Sequence, residues 1–288
     1  MPYTALISNL RALSQETLTS DQREALFSLL DYLEAPSTYA LYLLTGYAGT
    51  GKTYLLRSIT EAATRAGLHV ELMASTGRAA KVLTGATGRQ ASTIHRTIYR
   101  ASTQLQEEGG SFQLGRVSAG RPTLFIVDEA SMISGDTGEV TPFGSGNLLD
   151  DLLAYVWSAD ESKLILVGDT AQLPPVGTPL SDALNPEVLT SRYGLEVYGT
   201  ELREVVRQKK GGILHNATQL RQLLEDSADL DPEELLPIHL ETEGWRGIFA
   251  VEPGEFINTI DEAYRRYGME ECLVICPSNK KALECNNA

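Results

Sequence analysis

Cysteine and tryptophan are scarce in this chain of 288 residues, and no long apolar run occurs. The three cysteines, Cys272, Cys276 and Cys285, fit no common zinc spacing, and an odd number makes no closed disulfide framework. Reduced thiols in a cytoplasmic protein are the expectation. No apolar run approaches the roughly 20 residues of a membrane span, so no membrane partner is expected. The N-terminal stretch MPYTALISNLRALSQE lacks a basic start followed by an apolar segment, which argues against a secretory signal. Basic residues are in deficit, with 24 Lys and Arg against 38 Asp and Glu and a net charge of −14. That balance excludes a protein that coats nucleic acid through its bulk field. Internal repeats and low-complexity tracts are also missing.

What is present is ordinary globular material, 42% hydrophobic and 22% charged, long enough for one large domain or two small ones. The acidity is uneven. Gly77 to Arg121 holds seven basic residues (Arg78, Lys81, Arg89, Arg96, Arg100, Arg116, Arg121) against two acids, Glu107 and Glu108. This island of +5 leaves −19 for the remainder. By charge alone a solvated face explains it as well as a binding surface does.

The apolar runs are short, β-branched or Leu-rich, and alternate with helical patterns. Strands are predicted at Leu41–Thr45, His69–Ser75, Leu124–Val127, Leu164–Val167, more weakly near Leu195–Tyr198, and at Cys272–Cys276. Helices are predicted at Thr53–Ala66, Gly77–Leu83 and Leu148–Ser158, and from a cap at Thr19, Ser20 or Asp21 to about Leu33. Continuous apolar strands separated by helices predict an α/β fold, a parallel sheet covered on both faces. Gly109-Gly110, Gly115 and Gly120 around Phe112 read as a projecting hairpin, with Phe112 at its tip, and Gly135–Gly146 reads as a loop. Residues 223–255 read as an acidic surface excursion.

Gly46-Tyr-Ala48-Gly49-Thr50-Gly51-Lys52-Thr53 follows the first strand and opens a helix, as a phosphate-binding loop must. Glycines let successive N–H groups converge on phosphate oxygens, and the helix N-terminus adds partial positive charge. Lys52 suits the β- and γ-phosphates of ATP, and the Thr53 hydroxyl suits Mg²⁺. Leu124–Asp128-Glu129 delivers two carboxylates to a sheet edge: Asp128 to hold the metal, Glu129 to deprotonate an attacking water. After the next strand, Gly168-Asp169-Thr-Ala-Gln172 positions an amide that donates and accepts, suited to sensing a γ-phosphate. Taken alone, Gly168-Asp169 is equally a plain turn stiffened by Pro174 and Pro175.

These blocks, in this order, resemble the motifs of superfamily 1 DNA helicases, AAA-type P-loop ATPases, specifically the RecD-like 5′-to-3′ branch. GYAGTGKT resembles motif I, IVDEASM motif II and LVGDTAQLPPVG motif III. Ser75–Lys81 resembles motif Ia, Ala91–Arg96 the TIHR block, Leu202–Gln208 motif IV and Thr19–Gln22 the glutamine motif. The likeness runs over about residues 18–288. It implies a RecA-like fold over residues 1–270 with a hairpin wedge at 99–121, and the start of a second RecA-like domain at 271–288. It implies that Gln22 reads adenine and that Arg207 stabilises charge on the γ-phosphate. It also turns the basic island into a DNA face, with Thr76, Arg78 and Lys81 gripping phosphates. Thr93, His95 and Arg96 would lie under the strand, and Phe112 would stack on a base. Ser75 stands where the family has proline, which leaves Thr76 less pre-organised. A metal role for His95 has no partner residues.

Single-stranded DNA and DNA forks are the implied partners of a monomeric motor, with a recombination or replication complex as its setting. The later family blocks have no counterpart before Ala288, so the expectation is a truncated chain that binds ATP and Mg²⁺, hydrolyses feebly and does not unwind. Two other readings stay open: a small-molecule kinase or switch, and a motor or inactive subunit of an exonuclease assembly. The first would not need Gln172 and Arg207; the second, if inactive, would not need the intact Asp128-Glu129 pair.

Overall fold

The computed structural model describes residues 2–13, 18–101, 112–117, 121–133, 135, 142–159, 161–175, 180–206, 211–227 and 237–287. Two compact units form, Met1–Gln208 and Lys209–Ala288.

The first unit is built on six parallel strands: β1 (Ala40–Gly46), β2 (His69–Ala74), β3 (Ala91–Thr93), β6 (Thr123–Asp128), β7 (Lys163–Gly168) and β8 (Glu196–Leu202). Their order across the sheet is β3-β2-β6-β7-β1-β8. Two short strands, β4 (Tyr99–Ala101) and β5 (Phe112–Leu114), pair antiparallel as a separate hairpin. Helices α1 (Thr4–Leu13), α2 (Ser20–Glu34), α3 (Lys52–Arg65), α4 (Gly77–Thr87), α5 (Ile94–Ile98), α6 (Leu148–Val156) and α7 (Pro186–Ser191) complete this unit. The parallel α/β architecture is therefore as expected.

Successive side chains of a strand face opposite sides, and this sheet buries both. Tyr42, Leu44, Ile126, Ile165 and Val167 join the core under α1, α2 and α3. Leu41, Leu43, Phe125, Val127, Leu164 and Leu166 join the core with α5 and α6. Two buried cores explain why the strands read as continuous rather than alternating apolar runs.

Helix starts follow local chemistry. Thr19 and Gln22 form a reciprocal capping box on α2. Thr76, Thr93 and Asn147 cap α4, α5 and α6 with their side chains. At the other end of α2, Lys163 Nζ donates to the carbonyls of Tyr32, Ala35 and Ser37 at 3.1, 3.3 and 3.4 Å. This buried cation answers the orphan carbonyls of the helix terminus, although burial pushes its pKa down.

The second unit carries α8 (Gly212–Asp226), α9 (Phe256–Tyr267) and α10 (Asn279–Asn287). The strand expected at Cys272–Cys276 does not form; residues 272–276 have no regular structure. A strand is stable only with a neighbour to take its N–H and C=O groups, and none of the described residues of this unit supplies one. All three cysteines are free thiols. Among the described residues no helix is long and apolar enough to cross a membrane.

Candidate functional site

Neighbouring strands β6, β7, β1 and β8 end on one edge of the sheet, and each hands a loop to the same place. The loop after β1 is wound by glycines at positive φ: Gly46 at +151°, Gly49 at +87° and Gly51 at +96°. At Gly46 a Cβ would lie 2.5 Å from the Leu202 carbonyl oxygen, so β1 and β8 approach too closely for any other residue. Thr50 is buried, its hydroxyl donating to the Tyr47 carbonyl at 2.8 Å. Ala48 is exposed on the loop, and Lys52 and Thr53 open α3. Lys52 Nζ donates to the Gly46 and Tyr47 carbonyls, which folds the ammonium back over its own loop.

Asp128 ends β6, and its Oδ1 accepts from the Glu129 N–H at 3.0 Å. Glu129 adopts φ 55°, ψ 43°, a left-handed conformation uncommon for a side-chain-bearing residue and concentrated at functional sites. Burial raises the pKa of Asp128, opposed by the Glu129 N–H and the Lys52 charge. Burial and then the Asp128 charge raise that of Glu129, opposed by Lys52 and a hydrogen bond from Gln172. Two adjacent, half-desolvated carboxyls facing one lysine leave net negative charge to be offset. That donor set fits Mg²⁺, which uses one or two carboxylates and completes its shell with phosphate oxygens and water. Among the described residues no group of three His, Cys, Asp or Glu stands close enough together to hold a metal ion.

From β7, Asp169 is buried and anchors the Ala171 N–H. Gln172 follows, its Oε1 accepting from the buried Ser131 hydroxyl at 3.4 Å. Ser131 thus orients the amide so that its NH₂ end faces Glu129. The sequence reading missed Ser131; only its place two residues after Glu129 hints at it.

Gln22 is buried, its Oε1 accepting from the Thr19 N–H at 3.2 Å and its Nε2 donating to the Thr50 carbonyl at 3.3 Å. The residue expected to read adenine therefore ties the start of α2 to the phosphate loop. Asp21, which no motif reading singled out as a site residue, accepts from the N–H groups of Arg203 and Glu204, both at 2.7 Å. Those bonds hold its pKa down. The Val206 N–H donates to the Gly49 carbonyl at 3.0 Å. The segment leading to position 207 is thereby fastened to the loop; Arg207 itself lies outside the described residues.

The residues expected to meet DNA are placed more diversely. Arg78, Lys81 and Arg96 are exposed. The Thr76 and Thr93 hydroxyls accept from the Ala79 and Arg96 N–H groups, both at 3.2 Å, as helix caps. His95 packs against the rings of Tyr99 and Phe143, centroids at 5.6 and 5.1 Å, and burial lowers its pKa. Phe112 is not at a hairpin tip: it pairs with Ala101 in the ladder, and residues 102–111, outside the described residues, connect beyond it. Its ring stacks on Phe143 at 4.8 Å and is 37% exposed. Phe143 belongs to the loop expected at Gly135–Gly146, and buried Asp151 ties that loop down through Tyr99 Oη at 2.6 Å and the Ser145 N–H at 3.0 Å.

A family model described as AAA domain matches residues 17–231. An ATP-dependent RecD2 DNA helicase of Deinococcus radiodurans is 36% identical over 190 residues, covering 65% of this chain and 23% of that protein. The conjugal transfer protein TraA of Rhizobium radiobacter is 30% identical over 175 residues, 60% of this chain and 13% of that one. The ATP-dependent DNA helicase dda of Enterobacteria phage T4 is 29% identical over 210 residues, 72% and 43% respectively. This chain therefore spans less than half the length of each of these relatives.

Proposed function

The chain belongs to the AAA domain family, and on that premise we propose that it is the ATP-hydrolysing motor domain of a DNA helicase that moves 5′-to-3′ on single-stranded DNA. The observation that carries the reading is the glycine-wound loop that opens α3 at Lys52 and Thr53, at the same end of the sheet as Asp128 and Glu129. Helicase relatives from a bacterium and a phage support the choice of DNA as the track.

The loop N–H groups and Lys52 bind the β- and γ-phosphates, the ammonium exchanging its carbonyl partners for phosphate oxygens. Thr53 and Asp128 would hold Mg²⁺, which supplies neutralisation of phosphate charge. Glu129 accepts a proton from the attacking water, and the Gln172 amide, steadied by Ser131, donates toward that water or the γ-phosphate. Arg207 stabilises charge on the same phosphate. Gln22 contacts adenine through the N–H and lone pair that its cap and loop bonds leave over. Thr76, Arg78, Lys81, Thr93, His95 and Arg96 form the DNA face, with Phe112 and Phe143 as a paired stacking surface. Residues 271–288 open a second motor domain.

ATP turnover by the complete gene product, measured with and without single-stranded DNA, tests this. A rise of tenfold or more is expected; an unchanged rate contradicts a DNA motor. Forks carrying either a 5′ or a 3′ tail then read the direction.

A further inference from the structure

At the opposite edge of the sheet from the nucleotide site, two adjoining hollows open beside the base of the β4–β5 hairpin. Arg89, Arg96 and Arg100 line one, of about 610 Å³. Arg121 lines the other, of about 340 Å³. His69, Glu71 and Tyr155 belong to both walls, so the hollows form one groove. His69 and Thr123 begin β2 and β6, whereas Asp128 ends β6. The groove is thus a strand length, on the order of 20 Å, from the catalytic carboxyls.

Its charge is largely unmet. Arg89, Arg96, Arg100 and Arg121 are exposed, and among the described residues none has a carboxylate within ion-pair distance. Six other arginines, at 11, 57, 65, 192, 203 and 265, do hold such partners. Glu71, the acid in the groove, lies 3.5 Å from His69 Nε2 and offsets one of the four positive charges. Arg100 is fixed in place, one guanidinium nitrogen donating to the carbonyls of Thr97 and Tyr99, both at 2.8 Å. In a chain of net charge −14, four arginines without a carboxylate partner among the described residues line one open groove beside a single acid, Glu71, a surface suited to a polyanion. Guanidinium forks match the paired oxygens of phosphodiesters, and an open, elongated groove suits a polymer better than a small enclosed anion. The hairpin forms one wall: β4 carries Arg100, and Val117 and Arg121, which follow β5 in sequence, line the second hollow.

We propose that this groove is a second nucleic-acid site, adjoining the DNA face named above at Arg96 and extending away from it through Arg89, Arg100 and Arg121, and that it takes the phosphodiester backbone of DNA at the hairpin. The proposal rests on the helicase reading. The backbone belongs either to the strand displaced at a fork or to the duplex ahead of it, and the two are separable by experiment.

Anisotropy titrations of the full chain would use three fluorescein-labelled probes: a single-stranded oligonucleotide, a 5′-tailed duplex, and the same duplex with a 3′ flap. For Arg89→Gln/Arg121→Gln, affinity for the flapped fork is expected to fall roughly tenfold and its salt slope to drop by about two. Affinity for the single strand stays within twofold. A loss seen with the flap alone assigns the displaced strand; an equal loss on the tailed duplex assigns the duplex. Unchanged fork affinity, or an equal loss on all three probes, overturns the groove. A wild-type chain that binds no single strand contradicts the helicase reading beneath it. Independently of any variant, bromodeoxyuridine placed in the flap and in the duplex arm should photocrosslink the wild-type chain within residues 89–100 or 116–123. Crosslinks confined to other faces overturn the proposal.

Discussion

Replacing Glu129 by glutamine is expected to lower ATP turnover by at least about 10²-fold while changing Mg·ATP affinity little, because general-base assistance is worth on the order of 10² to 10⁴. The two side chains are nearly the same shape, so the left-handed backbone at φ 55°, the bond from Gln172 and the following turn persist. What disappears is the capacity to take a proton from water. Asp128 cannot substitute: its Oδ1 is already held by the Glu129 N–H, and on the proposed reading its other oxygen serves the metal. Removal of one negative charge from beside Asp128 and Lys52 leaves the lysine better able to hold phosphate, so binding is retained or slightly tightened. Single-turnover chemistry and nucleotide titration on the same preparation check both halves. Turnover at the wild-type rate would remove Glu129 from the mechanism.

The second large effect is expected at Gly51. Alanine there meets two obstacles at once. Its backbone sits at φ +96°, and its Cβ would lie 2.2 Å from Gln22 Nε2. Gln22 cannot retreat freely, since the same amide caps α2 through Thr19 and holds Thr50 in the loop. Displacing it forfeits a cap worth about 0.5–2 kcal/mol, and the left-handed backbone costs roughly 1–2 kcal/mol more. A destabilisation of about 1.5–4 kcal/mol with a loss of nucleotide affinity of tenfold or more is expected, read by thermal unfolding and titration. Gly67→Ala is the control. Its φ is +75°, but nothing lies within 4 Å of its Cβ, so it should lose only the backbone share and bind nucleotide normally. Equal behaviour of the two variants would show that the Gln22 contact is immaterial.

Gln22 illustrates how far sequence reading reaches. The spacing Thr19-x-x-Gln22 is a capping-box pattern, yet resemblance drew the residue toward adenine alone. Its bond to Thr50 depends on a residue 28 positions further along the chain returning to the same point, which local pattern does not encode. The sheet, by contrast, was legible because strands buried on both faces read as unbroken apolar runs, and each motif follows one of them directly. Helix α1 escaped notice although Leu6, Ile7 and Leu10 share a buried face; in ten residues the spacing of these and Leu13 is too short a pattern to fix a period. Phe112 was misplaced because its stacking partner, Phe143, arrives from a distant loop, and the ladder register could not be read from glycine positions. Cys272–Cys276 has the composition of a strand, but composition does not furnish a neighbour.

The central claim is that the glycine-wound loop and Lys52 hold a nucleoside triphosphate against the Asp128-Glu129 pair. Isothermal calorimetry with Mg·ATP tests it most directly. Binding heat with the wild-type chain is expected to vanish, or its affinity to fall by tenfold or more, in Lys52→Ala, whose fold should be intact because the ammonium donates to the Gly46 and Tyr47 carbonyls of its own loop and the side chain belongs to neither hydrophobic core. Absence of binding heat in the wild type, or equal heat and affinity in the two chains, would contradict it.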